Sequence, residues 1–316
     1  MKAILASTAG ALVHELPIPI PKASEILVRV RAASLNRADL AGLAAGDDKI
    51  MGMEWAGDVV EAGAEVQGVK PGDRVMCSGA GAFAEYATTD FGRACVIPSN
   101  QIGYQEATVM TVALQAMHDA IGTHGRLRKG ETVLIHGASS GVGLMGLQIA
   151  KMLGAGVVIG TSTHPGRRGR LKEFGADLSI DPSTTQWVDE VMAATGGRGV
   201  DVIVDQVTGK GFGQTMQTAA VCGRIVNLGR LGGGAGEFDF NLHALRRISY
   251  TGVTFRTRSV QEVRVLNAKM FAALGPAIAA GKLALPIDRI YPLHQAADAL
   301  ARMASNQHFG KIVLSV

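Results

Sequence analysis

Small residues crowd the turn His136-Gly-Ala-Ser-Ser-Gly-Val-Gly143, which follows the apolar Thr132-Val-Leu-Ile135 and precedes the helical run Leu144-Met-Gly-Leu-Gln-Ile-Ala150. A buried strand that meets a helix N-terminus through such a turn offers main-chain N–H groups to an anion. The helix dipole favours negative charge at the same point. Gly141, Gly143 and Gly146 spell GxGxxG, the pattern of dinucleotide-binding turns. Glycine makes up 41 of the 316 residues, so the pattern alone is weak, and the flanking strand and helix carry the reading. Ala138, Ser139, Ser140, Gly141, Val142 and Gly143 are the residues expected on a diphosphate.

A fold selective for NAD should end its second strand in an Asp or Glu that holds the ribose 2′-hydroxyl. That strand is Gly156-Val-Val-Ile-Gly-Thr161, and no acidic residue occurs from Leu144 to Lys172. The chain instead reads Thr161-Ser-Thr-His-Pro-Gly-Arg167-Arg168-Gly-Arg170. Arginines without an acid among them suit a 2′-phosphate. NADP(H) is therefore expected over NAD(H), with Thr161, Ser162, Thr163, Arg167 and Arg168 around the phosphorylated ribose. A solvated loop would use the same arginines.

The surrounding elements fall into two kinds. Residues 1 to about 116 read as short strands: Met1–Val13, Glu25–Arg31, Glu54–Gly63 and Gly72–Cys77, parted by glycine and proline turns, as in a small barrel or sandwich. After a helical run at Thr108–Ile121, strands and helices alternate, which implies a parallel sheet with helices on both faces. Its further strands are Ala176–Asp181, Val200–Asp205, Gly223–Gly229 and Ile248–Phe255, with helices at Trp187–Ala194 and Phe212–Ala219. Ligands of such sheets lie at the carboxyl ends of the strands. Asp205, Gln206, Asn227, Leu228 and Phe255 sit at three such ends and are candidates for the ribose and nicotinamide, or ordinary loop residues. Helices at Val260–Gly281 and Gln295–Ala304 and a closing strand at Gly310–Val316 complete the chain, the last strand returning to the first domain. The expected fold is α/β: a β-rich domain of residues 1–116 and 256–316, and a nucleotide-binding domain of 117–255.

A net charge of +4 with no long run of like charge argues against nucleic acid as a partner. Cys77, Cys95 and Cys222 form no CxxC pair, which disfavours a disulfide framework or a four-cysteine zinc site and suits a reducing compartment. The uncharged stretch Thr132–Ala150 approaches the length of a membrane span, but the nucleotide turn explains it, so no membrane association and a cytoplasmic location are expected.

Taken together, Leu35-Asn-Arg-Ala-Asp-Leu40, Gly52-Met-Glu-Trp-Ala-Gly57, Val69-Lys-Pro-Gly-Asp-Arg-Val75, Gly81-Ala-Phe-Ala-Glu-Tyr86, Gly130–Gly143 and Phe309-Gly-Lys-Ile-Val-Leu314 occur in the order of one family. The chain resembles, over nearly its whole length, the medium-chain dehydrogenase/reductase superfamily, and within it the zinc-independent quinone oxidoreductases similar to zeta-crystallin. The resemblance implies a GroES-like domain, a Rossmann domain, a cleft between them and a homodimer. It also implies NADPH on the glycine turn, Asn36 beside the nicotinamide, Lys311 near the nucleotide and Arg167 at the 2′-phosphate. Zinc members carry a cysteine where this chain has Asn36 and a histidine where it has Met53, so no metal is expected. The segment 41–51 is short and lacks the tyrosine common in quinone reductases, and Ala116 stands near the place of a family threonine.

A bound nicotinamide supplies the hydride, and quinones and activated alkenes accept one readily, so the protein need only position the partners and exclude water. No His/Asp or Cys/His constellation is visible; His14, His118, His136 and His294 are scattered, and His136 has a structural place against the glycine turn. The expected activity is NADPH-dependent reduction of a quinone or other α,β-unsaturated carbonyl such as an enal. Asn36 would orient nicotinamide or substrate, and Asp39 would either fix Asn36 or cap a helix. Two other readings are an enoyl-thioester or alkenal reductase and a non-catalytic NADPH-binding redox sensor. Loops 41–51 and 230–240 would set the acceptor.

Overall fold

A computed structural model describes residues 1–316. The first strands are β1 Lys2–Ser7, β2 Gly10–Glu15, β3 Glu25–Ser34, β4 Glu54–Ala62, β5 Arg74–Ser78, β6 Tyr86–Asp90 and β7 Ala94–Val96, with α1 Arg37–Ala45 between β3 and β4. Helix α2 Tyr104–His118 leads to β8 Thr132–His136, α3 Gly141–Met152, β9 Val157–Thr161, α4 Pro165–Arg168 and β10 Leu178–Ile180. Then come α5 Trp187–Ala194, β11 Val200–Asp205, α6 Phe212–Gln217, β12 Ala219–Asn227, α7 Phe240–Arg246 and β13 Ser249–Gly252. The chain closes with α8 Val260–Ala279, β14 Ile287–Pro292, α9 Ala296–Ala304 and β15 Lys311–Ser315. It forms two compact units, Met1–Val112 with Ser259–Val316, and Ala113–Arg258.

In the first unit a seven-stranded sheet runs β14-β15-β3-β4-β5-β7, with β6 also on β3. Alternate residues of β3, Ile26, Val28 and Val30, enter a core shared with Trp55, Phe83 and Leu35. Helix α9 adds Ala299, Leu300 and Met303 to it at helical spacing. Strand β15 pairs antiparallel with β3, Val313 opposite Ser34, which brings Lys311 to the end of β3 where Asn36 begins α1. The expected single strand Met1–Val13 is a hairpin, because Gly10 at φ 114° turns the chain between β1 and β2.

The second unit is a six-stranded, wholly parallel sheet in the order β10-β9-β8-β11-β12-β13. Numbered within the unit this is 3-2-1-4-5-6, the order of doubly wound dinucleotide folds, whose ligands lie where the order reverses, between β8 and β11. Leu134, Ile159, Ile203 and Ile225, one per strand, pack with Trp187 and Phe212 from the helices in one core. Two boundaries differ from expectation. Strand β13 stops at Gly252, so Phe255 lies beyond the sheet in coil, half-buried under the Arg258 guanidinium. Helix α2 starts earlier than expected and continues as a π-turn over Asp119–His124, fastened by Arg258, which donates to Asp119 at 2.5 Å. No helix is long and apolar enough to cross a membrane.

Candidate active site

At the reversal point β8 and β11 lie in register with His136 opposite Asp205. Gly137 leaves β8 at φ 79°, a conformation that favours glycine, so it makes the sharp turn. This corrects the expected register, in which Gly141 led the motif: Gly141 is already the first residue of α3. Gly143 is the close-approach residue, since a Cβ there would lie 2.6 Å from Ala138 Cα and 2.7 Å from the carbonyl oxygens of Gly137 and Ala138. Gly146 admits Met117, whose sulfur would lie 2.8 Å from a Cβ.

The turn is braced from within. Ser140 caps α3 by accepting Gly143 N–H at 3.0 Å, and its one hydroxyl proton is shared between Gly137 O and Gln206 Oε1. The Gln206 amide donates back to the carbonyls of His136 and Gly137. Gly137 N–H donates to Thr161 Oγ1, and Ala138 N–H to Thr161 O at 2.8 Å. Of the amides expected on a diphosphate, those of Ala138, Ser140 and Gly143 are thus engaged by the protein itself, as is that of Gly137. Ser139, Gly141 and Val142 keep unengaged N–H groups, and these three are what the turn can offer an anion. A dinucleotide diphosphate fits this cradle.

The end of β9 presents no acid. Thr161 is buried and spent on His136 and Gly137, Ser162 donates to Ser139 Oγ at 2.9 Å, and Thr163 is exposed. Arg168 donates to Ser162 O and pairs with Asp181 at 2.8 Å, and Arg170 pairs with Glu173 at 3.0 Å, while Arg167 is half-buried on α4. His136 accepts or donates at Nδ1 to Thr161 at 2.8 Å and stacks on Trp187; burial pushes its pKa down, so it is the neutral ring that the turn holds.

The other strand ends are less open than expected. Asp205 is fully buried; its Oδ1 accepts the N–H groups of Val207 and Thr208, and its Oδ2 has no partner and no route to solvent. It shapes the turn after β11 and presents no carboxylate oxygen to a ligand. Asn227 is buried and donates to Gly229 O, and Leu228 N–H donates to Asp205 O. Part of segment 230–240 lines a cavity of about 150 Å³ with Thr208, Phe212, Asn227 and Tyr250. Residues 41–45, expected in a loop, form the last turns of α1, stopped by Gly46 at φ 56°.

The first unit holds a second cluster. Asn36 caps α1 and donates its backbone N–H to Asp39 Oδ2 at 2.6 Å, so Asp39, the third residue of the helix, both completes its capping box and fixes Asn36. The Asn36 amide donates to Glu54 Oε1 at 2.8 Å and accepts from Lys311 Nζ at 2.9 Å. A carboxylate only accepts and an ammonium only donates, so the two neighbours dictate which way the amide faces. Glu54 is wholly buried at the start of β4 and accepts four hydrogen bonds: Oε1 takes Ser34, Asn36 and Lys311, and Oε2 takes Val112 N–H at 2.9 Å. Asn36 retains one amide proton, and Lys311 one proton, beyond these bonds. Burial lifts the Asp39 pKa from 3.8 to about 7, with the Asn36 N–H and Lys311 opposing the rise and Glu54 adding to it.

Glu54 had no role readable beforehand, and Gln206, expected as a candidate for the ribose or nicotinamide, braces the glycine turn instead. Glu54 stands among apolar residues in Gly52-Met-Glu-Trp-Ala-Gly57, and a carboxylate in an apolar strand was the available signal. Lys311 lies with Asn36 in this unit, while the glycine turn lies in the other.

A metal does not fit this donor set. Asn36 and Met53 supply an amide and a thioether, the one carboxylate at the amide is already shared by an ammonium, and no three His, Cys, Asp or Glu side chains converge anywhere.

Residues 22–113 match a family described as alcohol dehydrogenase GroES-like domain, and residues 174–314 one described as zinc-binding dehydrogenase. The chain is 33% identical over 310 residues to a phenolphthiocerol/phthiocerol polyketide synthase polypeptide of Mycobacterium tuberculosis, a match over 96% of this chain and 14% of that protein. It spans about a seventh of the length of that relative. A mycobacterial quinone oxidoreductase structure superposes with a TM-score of 0.88 at 25% identity, covering 100% of both chains. The CurK enoyl reductase shares the fold at 24% identity and a TM-score of 0.87, over 99% of each chain. The GroES-like and Rossmann domains, in this order and with these motifs, make the chain an oxidoreductase fold of the medium-chain dehydrogenase/reductase superfamily, to which it belongs.

Proposed function

We propose that the chain is a zinc-independent, NADPH-dependent reductase that delivers a hydride to a quinone or to a double bond conjugated with a carbonyl. The observation that carries the reading is the turn at the sheet's reversal point: three unengaged amides, of Ser139, Gly141 and Val142, with arginines and no acid at the end of β9. Bound NADPH would supply the hydride. It would be held by that turn, with Thr163, Arg167 and Arg168 toward the 2′-phosphate; Arg168 would share its charge with Asp181. Thr161 and Asp205 act behind the cofactor, as braces of the turn and of the strand end.

Asn36 is the residue proposed to touch nicotinamide or substrate, through the amide proton it has left. Glu54 and Lys311 set its orientation, and Asp39 sets its backbone. In an enone the hydride adds to the β-carbon, the alkene pair moves toward the carbonyl, and a proton from solvent completes the reduction. A quinone takes up the same hydride and proton to become a hydroquinone. An enoyl thioester is the second acceptor class, favoured by the fold shared with CurK enoyl reductase. A homodimer is proposed through the unpaired edge of β13, in the unit whose α7 leaves Phe240 and Leu245 77% and 74% exposed.

The test is NADPH oxidation over a panel of quinones, enals and enoyl thioesters, with NADPH deuterated at the nicotinamide C4. Turnover with deuterium on the β-carbon of a reduced enal or enoyl thioester, or reduction of a quinone at comparable rate, supports the reading. Tight NADPH binding with no oxidation by any acceptor replaces it with the redox-sensor reading.

A further inference from the structure

At the opposite end of the parallel sheet from the glycine turn lies a cavity of about 390 Å³, well within the ~300–1,000 Å³ of small-molecule sites. Glu131 and Asp201, at the amino ends of β8 and β11, line it. Strand β8 separates it from the turn by about 16 Å, five residues at ~3.3 Å each. Arg126, Arg128, Arg224 and Arg247 converge on it.

Arg224 is committed: it forks onto both oxygens of Glu131 at 3.0 and 2.5 Å and donates to Gly125 O. The guanidinium groups of Arg126, Arg128 and Arg247 make no ion pair or hydrogen bond with the protein, and all three residues are exposed. Four arginines against two carboxylates leave the lining at net +2. The backbone points to the same place. Six non-glycine residues of the chain have left-handed φ, and Arg126 at 46° and Cys222 at 62° line this one cavity, as does Arg247, whose 50° is that of the left-handed cap ending α7. Such conformations persist where the surrounding fold holds them, and they cluster at ligand clamps and switch regions.

We propose that this cavity is a second binding site, distinct from the dinucleotide site, for a small anion bearing two or more phosphate or carboxylate groups. The planar forks of Arg126, Arg128 and Arg247 match such groups bidentately. Concavity favours a small molecule over an acidic protein surface.

Cys222 lies in the lining and is the exposed thiol, Cys77 and Cys95 being buried, so its reaction with a water-soluble aromatic disulfide reports occupancy. The experiment follows that rate in the intact chain at constant ionic strength, with pyrophosphate and, separately, citrate as probes. Cys222→Ser identifies the reacting thiol. A saturable slowing of at least ~5-fold, unchanged by saturating NADPH, supports the site, and the stronger probe tells phosphate from carboxylate. In folded Arg126→Gln/Arg247→Gln the half-saturating concentration should rise at least ~10-fold. No saturable slowing by either probe in the wild type overturns the proposal, as does slowing that NADPH abolishes or that the double variant retains in full. Calorimetric titration of the wild type with the same probes decides the matter if that variant does not fold.

Discussion

Gly143→Ala should damage the nucleotide turn more than the fold. The added Cβ would sit 2.6 Å from Ala138 Cα and 2.7 Å from two carbonyl oxygens. Carbon contacts are comfortable at about 3.5–4.0 Å, so a shortfall of roughly 1 Å must be met by backbone, which cannot rotate away as a side chain can. Overpacking of this kind costs about 1–3 kcal/mol, and replacing a helical glycine by alanine returns about 0.5–1 kcal/mol. A net loss near ~1–2 kcal/mol follows, which leaves the protein folded with a lowered melting temperature. The turn moves with Ala138, and with it the three amides proposed for the diphosphate; losing one charge-assisted bond at ~1.5–3 kcal/mol weakens NADPH binding by about 10-fold or more. Thermal melting and fluorescence titration with NADPH measure the two effects. Gly213→Ala is the matched control: Gly213 lies in α6, and a Cβ there meets nothing within 4 Å, so it should stabilise by about 0.5–1 kcal/mol and leave binding unchanged. A folded Gly143→Ala that binds NADPH as the wild type does would refute the reasoning.

Asp39 holds its proton more tightly folded than unfolded, its pKa being raised from 3.8 to about 7. Below pH ~4 both states are protonated; between pH ~4 and ~7 the unfolded state releases the proton first, so stability falls as pH rises, by at most about 4 kcal/mol. Asp39→Asn keeps an acceptor for Asn36 N–H and should flatten that decline in urea unfolding followed across the same window; an unaltered pH dependence excludes Asp39 as its source. Lys311→Met strands the buried Glu54 carboxylate and should cost about 3–5 kcal/mol, while Lys311→Met/Glu54→Gln should cost clearly less than the sum of the single changes in a denaturation double-mutant cycle. Additive losses would mean the pair is not coupled. Arg167→Ala should raise the dissociation constant of NADPH roughly 10- to 100-fold and leave that of NADH unchanged, as calorimetry with both cofactors can tell; equal losses would remove Arg167 from the 2′-phosphate.

Much of the fold was legible because its strands are long apolar runs. Val200–Asp205 reads as a buried parallel strand and is β11, and α5 occupies the expected Trp187–Ala194. Elements without such a run escaped notice: β7 is three residues long, and the turn that splits β1 from β2 hides in a weakly apolar stretch. The glycine turn was legible as a turn, but not its register, since φ at Gly137 and the contact at Gly143 are facts of three dimensions. The amide accounting was equally hidden: Thr161 was expected to face a ligand and instead braces Gly137 and Ala138. Asn36 and Lys311 came from family likeness, and their meeting on Glu54 joins residues 257 positions apart in the chain, which no local pattern announces.

A crystal structure with NADPH bound puts the nucleotide assignment to the most direct trial. The diphosphate should lie within hydrogen-bond reach of the N–H groups of Ser139, Gly141 and Val142, with the 2′-phosphate against Arg167. A diphosphate seated elsewhere, or a turn whose amides are closed off by side chains while NADPH is bound, would contradict it.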